Sequence, residues 1–347
     1  MTSDSVVDAP EQLTASWLSE VLDGEVTGVT WRRIGSGQIG TCYRLELTGA
    51  PDVPRSLVAK LPSENPELRV FLSSAYRTEV SFYRDLVHTV AVRTPVCHHK
   101  AISEDGAAFT LLLEDAAPAT QGDQLTGCSP AQAEAAVVTL AGLHGPRWCD
   151  PTLLDLPWLS AVSEEDAAGL SGAFEGSVET FVERFAGRLD DADARTLRET
   201  ADRVSAWALA RPERFGPVHG DYRPDNLLFH PDDGSEVIAV DWQTLSLGHP
   251  VRDLSFFLGT GLRPSDRAAR ERDLVARYHA ALTSYGVDGY SLEECFDDYR
   301  FAAVQGPLIT VLGCVYGSPT ERGDLMFLAM ARRSCAMIRE LGTLELI

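Results

Sequence analysis

The spacing of apolar and polar positions predicts strands in the first third of the chain and mostly helices after it. Apolar and polar residues alternate through residues 42–47, which is the period of a strand. Short apolar runs at residues 56–61 and 109–113 predict buried strands. Between them, apolar side chains recur at helical spacing through residues 66–87, so the pattern predicts a helical segment there.

The second part of the chain is dominated by helical patterns. Ser129, Pro130 and Gln132 have the order of a capping box with proline in the first turn, so they predict the start of a helix that runs to His144. We interpret His144 as a buried structural histidine. Residues 150–215 are acid-rich and predict further helices without a functional motif.

A hairpin is predicted between residues 226 and 241. Two short apolar runs, 226–229 and 236–241, flank the turn-forming sequence Pro-Asp-Asp-Gly at residues 231–234. A two-residue loop at Asp233-Gly234 would place Asn226 directly opposite Asp241, although other loop lengths are possible. That register would bring an amide oxygen and a carboxylate together, the type of ligand that Mg²⁺ takes. Alternatively, these polar residues only cap turns.

Glycines at positions 35, 37 and 40 have the spacing G-x-G-x-x-G, which alone is a weak signal. A dinucleotide-binding motif requires a helix after the glycines and an acidic residue about 20 residues later. Here the pattern after Gly40 is that of a strand, and the residue 20 positions on is Lys60. We therefore predict that Gly35, Gly37 and Gly40 cover nucleotide phosphates, with a plain β-turn as the alternative.

Lys60 is one of only two lysines, and it lies in a predicted buried strand. An unpaired buried ammonium group is costly, so we expect an anionic partner. Glu79, on the predicted helix, is the preferred candidate, whereas Glu64 and Glu67 are the alternatives. Lys60 could also extend along the strand end into solvent. A strand lysine paired with a helix glutamate positions ATP phosphates in kinases.

The motif H-G-D-Y-R-P-D-N-L-L-F, followed by V-D-W-Q, resembles the aminoglycoside phosphotransferase superfamily, and the ecdysteroid-kinase-like small-molecule kinases best. E-V-S-F-Y at residues 79–83 and L-A-G-L-H at residues 140–144 add to the resemblance. The resemblance implies an α+β, bilobal protein-kinase-like fold. Its small antiparallel-sheet lobe would span residues 1–115 and its mostly helical lobe residues 116–347.

The resemblance also implies roles for individual residues. Asp221 would accept the proton of the substrate hydroxyl, while Asn226 and Asp241 would hold Mg²⁺. His219 would brace this loop. The backbone from Glu114 to Ala116 would contact the adenine of ATP. A further expectation is that Asp253 supports the loop, although a simple helix-start acid is an alternative.

The predicted activity is transfer of the ATP γ-phosphoryl group to a hydroxyl of a small molecule. Protein kinases have a long segment after the metal-binding aspartate to hold a peptide, and here a helix is predicted near Pro250. A nucleotide-binding sensor or pseudokinase without turnover is the main alternative. An acetyl- or nucleotidyltransferase is disfavoured by the order H-G-D-x-x-x-x-N.

Composition adds the expected setting and partners. The net charge of −21 disfavours binding to nucleic acid or to an anionic membrane surface. It could enrich a cationic substrate, but solubility is the simpler interpretation. Seven cysteines without a C-x-x-C pair, no secretion signal and no membrane-length apolar stretch predict a cytoplasmic protein. No pattern specifies an oligomeric state.

Overall fold

The computed structural model describes residues 6–35, 39–231, 234 and 236–347. Contacts divide the chain into two compact units. The first, here called the sheet unit, contains the chain up to His88, Thr94–Ala117 and Val240–Thr244. The second, the helical unit, contains Thr89–Arg93, Pro118–Ala239 and Leu245–Ile347.

The sheet unit is built on a five-stranded antiparallel sheet with the order β1-β2-β3-β5-β4. Its strands are β1 (Val26–Ile34), β2 (Gly40–Gly49), β3 (Ser56–Pro62), β4 (Cys97–Ile102) and β5 (Phe109–Glu114). The register aligns Lys60 of β3 with Cys42 on one side and Leu111 on the other. Leu45, Leu57 and Ala59 are fully buried in the sheet core. The predicted strands are therefore present.

The sheet unit carries helices α1 (Ala15–Val21), α2 (Pro66–Phe71) and α3 (Ser73–Ser81), followed by a π-helical turn, Phe82–Leu86. The helical segment predicted over residues 66–87 is confirmed, but it is broken at Leu72 into separate helices. The backbone leaves helical geometry at Leu72, with φ −90° and ψ 2°, and the Ser73 hydroxyl donates to the carbonyl of Val70 at 2.8 Å. Such local side-chain bonds compete with the helix.

The helical unit contains nine helices of six or more residues within the described ranges. They are α4 (Pro130–His144), α5 (Glu164–Arg184), α6 (Asp191–Ala201), α7 (Val204–Leu209), α8 (Val251–Gly261), α9 (Pro264–Ser284), α10 (Leu292–Phe301), α11 (Gln305–Tyr316) and α12 (Glu321–Leu341). Helix α4 begins with the predicted capping box of Ser129 and Gln132. Phe174, Phe181 and Trp207 are fully buried in a core cluster of this unit.

Short strands complete the helical unit: β6 (Thr120–Gln121), β7 (Gly216–Val218), β8 (Leu227–Phe229), β9 (Val237–Ala239) and β10 (Ser246–Gly248). They form a three-stranded sheet, β6-β8-β9, and a pair, β10-β7. Throughout the described ranges, every helix is either too short or too polar to cross a lipid bilayer.

The hairpin β8-β9 is present, but its predicted register was wrong by one residue. Leu227 pairs with Ala239 and Phe229 with Val237. Beyond the ladder, His230 N–H donates to Glu236 O at 3.1 Å, so this bond encloses a loop of five residues instead of the two predicted. Gly234, at φ +67°, donates to His230 O at 3.0 Å and widens the turn. Asp232, Asp233 and Ser235 lie outside the described residues.

Candidate active site

Lys60, Glu79 and Asp241 meet in the sheet unit. The strand β3 carries Lys60, α3 carries Glu79, and Asp241 lies just after β9. Lys60 Nζ lies 2.8 Å from Glu79 Oε1, 2.7 Å from Glu79 Oε2 and 2.9 Å from Asp241 Oδ1. The predicted partner of Lys60 is therefore confirmed. Of the alternative partners, Glu64 instead lies 3.2 Å from Arg33 NH1.

This charge cluster is buried on one side and open on the other. The side chains of Lys60 and Glu79 are 9% and 1% exposed, whereas that of Asp241 is 39% exposed. Burial alone would lower the pKa of Lys60, but the carboxylates of Asp241 and Glu79 outweigh burial and raise that pKa above its ordinary value. Lys60 is therefore a permanently charged group, suited to pairing with an anionic ligand.

The backbone around Asp241 is held in an unusual conformation. Asp241 has φ +69°, which is rare for a residue with a Cβ atom. The next residue, Trp242, is fully buried and stacks on Phe82 with ring centroids 3.8 Å apart and an interplanar angle of 10°. The backbone N–H of Trp242 also donates to Glu79 Oε1 at 3.3 Å. These contacts fix the direction of the Asp241 side chain.

The glycine motif is partly described. Gly35 has φ +69°, the left-handed region that favours glycine, and a Cβ atom there would meet open space. At Gly40, a Cβ atom would lie 2.9 Å from the carbonyl oxygen of Leu61, so the position requires glycine for close approach of β2 and β3. Gly37 lies outside the described residues.

The end of β5 is where the sequence predicts adenine contacts. Glu114 pairs with Leu57 at the end of the sheet ladder, and its N–H donates to Val96 O at 2.8 Å. The Glu114 carboxylate in turn accepts the N–H of Val96 at 3.0 Å. Ala116 lies beyond the last strand pair, so its backbone groups are outside the ladder. The Glu114 side chain therefore braces this strand end.

Asp115 also braces the strand end. Its Oδ1 accepts a hydrogen bond from Arg44 NH2 at 2.9 Å, and its Oδ2 accepts one from the Ser56 hydroxyl at 2.5 Å. These two bonds join β2 and β3 to the residue that follows β5. The Asp115 side chain is only 7% exposed, so the bonds are shielded from solvent.

The helical unit brings Asp221 and Asn226 together. Asn226 Nδ2 donates to the main-chain oxygen of Asp221 at 2.9 Å and to Asp221 Oδ2 at 2.8 Å. Arg223 Nε donates to Oδ1 and Oδ2 of Asp221 at 2.9 and 3.1 Å. The Asp221 side chain remains 21% exposed. The loop thus presents an oriented carboxylate that solvent can reach.

Asp253 fixes the backbone before Asp221. Its Oδ2 accepts the N–H of His219 at 2.6 Å, and its Oδ1 accepts that of Gly220 at 2.9 Å. Gly220 has φ +83°, so a side chain there would be strained. His219 is fully buried, and its Nδ1 accepts the N–H of Asp221 at 3.3 Å. Asp253 and His219 therefore both make the loop contacts that the sequence predicts.

Sequence reasoning missed a set of arginine contacts on this loop. Arg223 NH1 lies 2.9 Å from Asp225 Oδ2, and Arg322 of α12 lies 3.0 Å from the same oxygen. Burial would raise the pKa of Asp225, but Arg322 and Arg223 reverse that effect and lower it. Arg223 could have been found from its place two residues after Asp221. Arg322 lies 97 residues from Asp225, and no local pattern marks it.

Asn226 and Asp241 have the donor chemistry that Mg²⁺ requires. Because Asn226 Nδ2 donates to Asp221, the side-chain oxygen of Asn226 is oriented away from that bond and can coordinate a cation. Asp241 adds a part-exposed carboxylate. Both are hard oxygen ligands of the kind that bind Mg²⁺ together with phosphate and water.

Comparison with known families matches most of the chain. The model of the phosphotransferase enzyme family, abbreviated APH, covers residues 30–290. Among curated relatives, acyl-CoA dehydrogenase family member 10 of Mus musculus is 27% identical over 121 residues, 30% of this chain. Family member 11 of Rattus norvegicus is 29% identical over 139 residues, 38% of this chain. The matches span only 11% and 16% of those relatives' own lengths.

Solved structures match over nearly the whole chain at low identity. A putative aminoglycoside phosphotransferase from Ralstonia eutropha has a TM-score of 0.55 and 18% identity, with 94% of this chain and 96% of that chain covered. The gentamicin complex of APH(2″)-IIa has a TM-score of 0.51 and 14% identity, with coverage of 96% and 97%. These similarities establish the fold, and the predicted α+β, protein-kinase-like fold is confirmed.

Proposed function

This chain belongs to the phosphotransferase enzyme family, and we propose that it transfers the γ-phosphoryl group of ATP to a hydroxyl group of a small molecule. The observation that carries this proposal is the position of Lys60 between Glu79 and Asp241. A carboxylate oxygen of each lies within 3 Å of Lys60 Nζ. A charged lysine held by two carboxylates in this way suits the phosphates of a nucleotide.

Each predicted site residue has a role in this proposal. Lys60 and Glu79 position the phosphates, and Gly35, Gly37 and Gly40 cover them. The backbone of Glu114 and Ala116 contacts the adenine. Asn226 and Asp241 are the proposed ligands of Mg²⁺, which neutralises developing charge on the transferred group when it is bound.

Asp221 is the proposed base for the acceptor hydroxyl. Its carboxylate is oriented by Asn226 and Arg223 and remains part-exposed, so a hydroxyl group can reach it. Orientation of the attacking hydroxyl and removal of its proton are the two contributions that such a carboxylate makes. The cytoplasmic location predicted from the sequence stays a prediction.

The alternative is a nucleotide-binding sensor without turnover. A sensor requires the phosphate-binding groups of the sheet unit, but it does not require an oriented Asp221. The hydrogen bonds of Asp221 with Asn226 and Arg223 therefore favour the enzyme.

The acceptor is expected to be small. The segment from Asp241 to the start of α8 at Val251 is short and includes the strand β10, so it has no room for a long peptide-binding loop. APH(2″)-IIa binds gentamicin, which supports a small hydroxylated acceptor. In this chain, however, Arg322 pairs with Asp225 and Asp123, and Arg223 pairs with Asp221 and Asp225, so all three carboxylates already have cationic partners. A panel of acceptors should thus include neutral and anionic compounds.

The test is a two-stage assay. The native protein is first titrated with ATP and Mg²⁺ in a thermal-shift measurement, in which ligand at 100 times Kd should add about 2.7 kcal/mol to the free energy of unfolding. It is then incubated with hydroxylated compounds of different charge, and phosphorylated products are identified by mass spectrometry. Nucleotide binding without any product across the panel, equal in native protein and Asp221→Asn, would favour the sensor. Absence of nucleotide binding would reject both.

A further inference from the structure

Three buried side chains connect helix α9 to the loop of residues 219–226, here called the Asp221 loop. The hydroxyl of Tyr278 on α9 lies 2.7 Å from Nδ1 of His144 at the end of α4. Nε2 of the same ring lies 3.2 Å from Oδ2 of Asp253 on α8. All three side chains are completely buried. The sequence predicted only a structural role for His144 and gave no role to Tyr278.

The far end of this connection is the backbone of the Asp221 loop. Asp253 accepts hydrogen bonds from the N–H groups of His219 and Gly220, the two residues before Asp221. The carbonyl of Gly220 accepts a further bond from Gln305 Nε2 at 3.3 Å. The orientation of the Asp253 carboxylate therefore sets the path of the backbone that carries Asp221.

The chemistry of the contacts determines the direction of each hydrogen bond. Burial lowers the pKa of His144 and outweighs the opposite effect of Asp253, so the ring is neutral and has one N–H. A carboxylate can only accept, so the proton must be on Nε2 and point at Asp253. Nδ1 is then an acceptor, and the hydroxyl of Tyr278 is its donor.

Loss of the Tyr278 hydroxyl would leave Nδ1 buried without its donor. The ring could then move its proton to Nδ1, but this would place the lone pair of Nε2 against the Asp253 carboxylate. Either outcome weakens the hold on Asp253, because a buried polar group without a partner is costly and the network depends on every member.

We propose that Tyr278 is a positioning residue for the Asp221 loop. Its hydroxyl fixes the tautomer of His144 in which Nε2–H donates to Asp253, and Asp253 in turn holds the backbone of the loop. The consequence for turnover rests on the proposed function, whereas the effect on the loop does not. The Tyr278 hydroxyl acts through His144 and Asp253, so its effect on Asp221 is indirect.

The variant Tyr278→Phe removes the hydroxyl and retains the ring. Tyr299→Phe is the matched control, because Tyr299 is equally buried and its hydroxyl donates to Glu271 at 2.9 Å instead of to the network. With ¹⁵N-labelled histidine, the native His144 ring should show the Nε2–H tautomer, and Tyr278→Phe should change both nitrogen shifts. His144→Gln assigns the resonances.

Hydrogen exchange measures the hold on the loop directly. Tyr278→Phe should speed amide exchange at His219 and Gly220 by about 10-fold relative to Tyr299→Phe, because local opening becomes easier. If Tyr278→Phe does not fold, His144→Gln and His144→Leu replace it. Glutamine retains a donor for Asp253 and an acceptor for Tyr278, so it should preserve protection at these amides, whereas leucine should lose it.

Turnover gives the last measurement. Tyr278→Phe should lower kcat by roughly 5-fold or more and leave KM for ATP and acceptor within about 2-fold, because orientation of Asp221 is lost without loss of binding groups. Equal His144 shifts, exchange rates and kcat in Tyr278→Phe and Tyr299→Phe would overturn the proposal, as would an altered tautomer with unchanged kcat. Altered shifts and exchange in a protein that phosphorylates no acceptor would support loop positioning and overturn the proposed function.

Discussion

Lys60 on β3 and Glu79 on α3 lie 19 residues apart in sequence and form a buried ion pair. Their closest atoms, Nζ and Oε2, are 2.7 Å apart, and neither side chain is more than 9% exposed. A buried pair of this kind contributes little net stability, because desolvation of the two charges offsets their attraction. Its geometry is better explained by the need to hold a cation at a fixed point beside Asp241.

Removal of one partner should be strongly destabilising. Lys60→Met leaves Glu79 buried and beside Asp241 without a counterion, so the free energy of unfolding should fall by about 3–5 kcal/mol. The double variant Lys60→Met/Glu79→Gln removes the uncompensated charge and should recover part of that loss. Urea denaturation measures both values. Lys100→Met, on the edge strand β4 of the same sheet, is the control and should change stability by less than about 1 kcal/mol.

The proposed roles of Asp221 and Asp241 predict different defects. Asp221→Asn should lower kcat by roughly 10²–10⁴-fold, since it removes the base while leaving the phosphate-binding groups intact. Asp241→Ala should abolish turnover and also weaken the dependence of nucleotide binding on Mg²⁺. Calorimetric titration with ATP, with and without Mg²⁺, separates the two. Full activity of Asp221→Asn with an identified acceptor would remove Asp221 from the proposed mechanism.

Two buried histidines should make the fold sensitive to mild acid. Burial is the main cause that lowers the pKa of His144 and of His249. A depressed folded-state pKa means that the unfolded chain binds protons first. The stability contributed by each neutral histidine is therefore complete above the unfolded pKa of about 6.5 and is lost as the pH falls towards the folded value.

Stability should thus decrease between about pH 7.5 and 5.5, by up to about 1.4 kcal/mol per histidine for each pH unit below the unfolded pKa. Urea midpoints across this range measure the slope. His249→Gln should have a shallower slope than the native protein. An unchanged slope in this variant would show that His249 does not contribute to the acid sensitivity.

The sequence predicts the elements that depend on local patterns. The strands around residues 42–47, 56–61 and 109–113 follow from alternation and apolar runs, and the start of α4 follows from its capping box. The contact of Lys60 with Glu79 was also predictable, because a buried ammonium group requires an anion and the helix offers few. In these cases a physical requirement of one residue limits the possible partners.

Other features depend on geometry that no local pattern encodes. The hairpin register differs by one residue because the turn after His230 is wider than the two-residue loop assumed from Asp233-Gly234. The break between α2 and α3 arises at Leu72, where apolar spacing continues without interruption. The contact of Arg322 with Asp225 joins distant parts of the helical unit, so only the folded structure reveals it.

Two glycines in different surroundings give a final, opposed pair of predictions for substitution by alanine. At Gly40 the new Cβ atom would lie 2.9 Å from the Leu61 carbonyl oxygen, so β2 and β3 would have to separate beside the glycine motif. Gly40→Ala should lower the free energy of unfolding by roughly 1–3 kcal/mol. It should also weaken nucleotide binding if the motif covers phosphates.

At Gly176, inside the exposed face of α5, a Cβ atom would meet nothing within 4 Å. Gly176→Ala should therefore raise the free energy of unfolding by up to about 1 kcal/mol, because alanine favours the helix and restricts the unfolded chain. It should leave nucleotide affinity unchanged. Urea denaturation and ATP titration of both variants test the pair. Equal nucleotide affinity in Gly40→Ala and Gly176→Ala would separate the glycine motif from phosphate binding and leave it a plain β-turn.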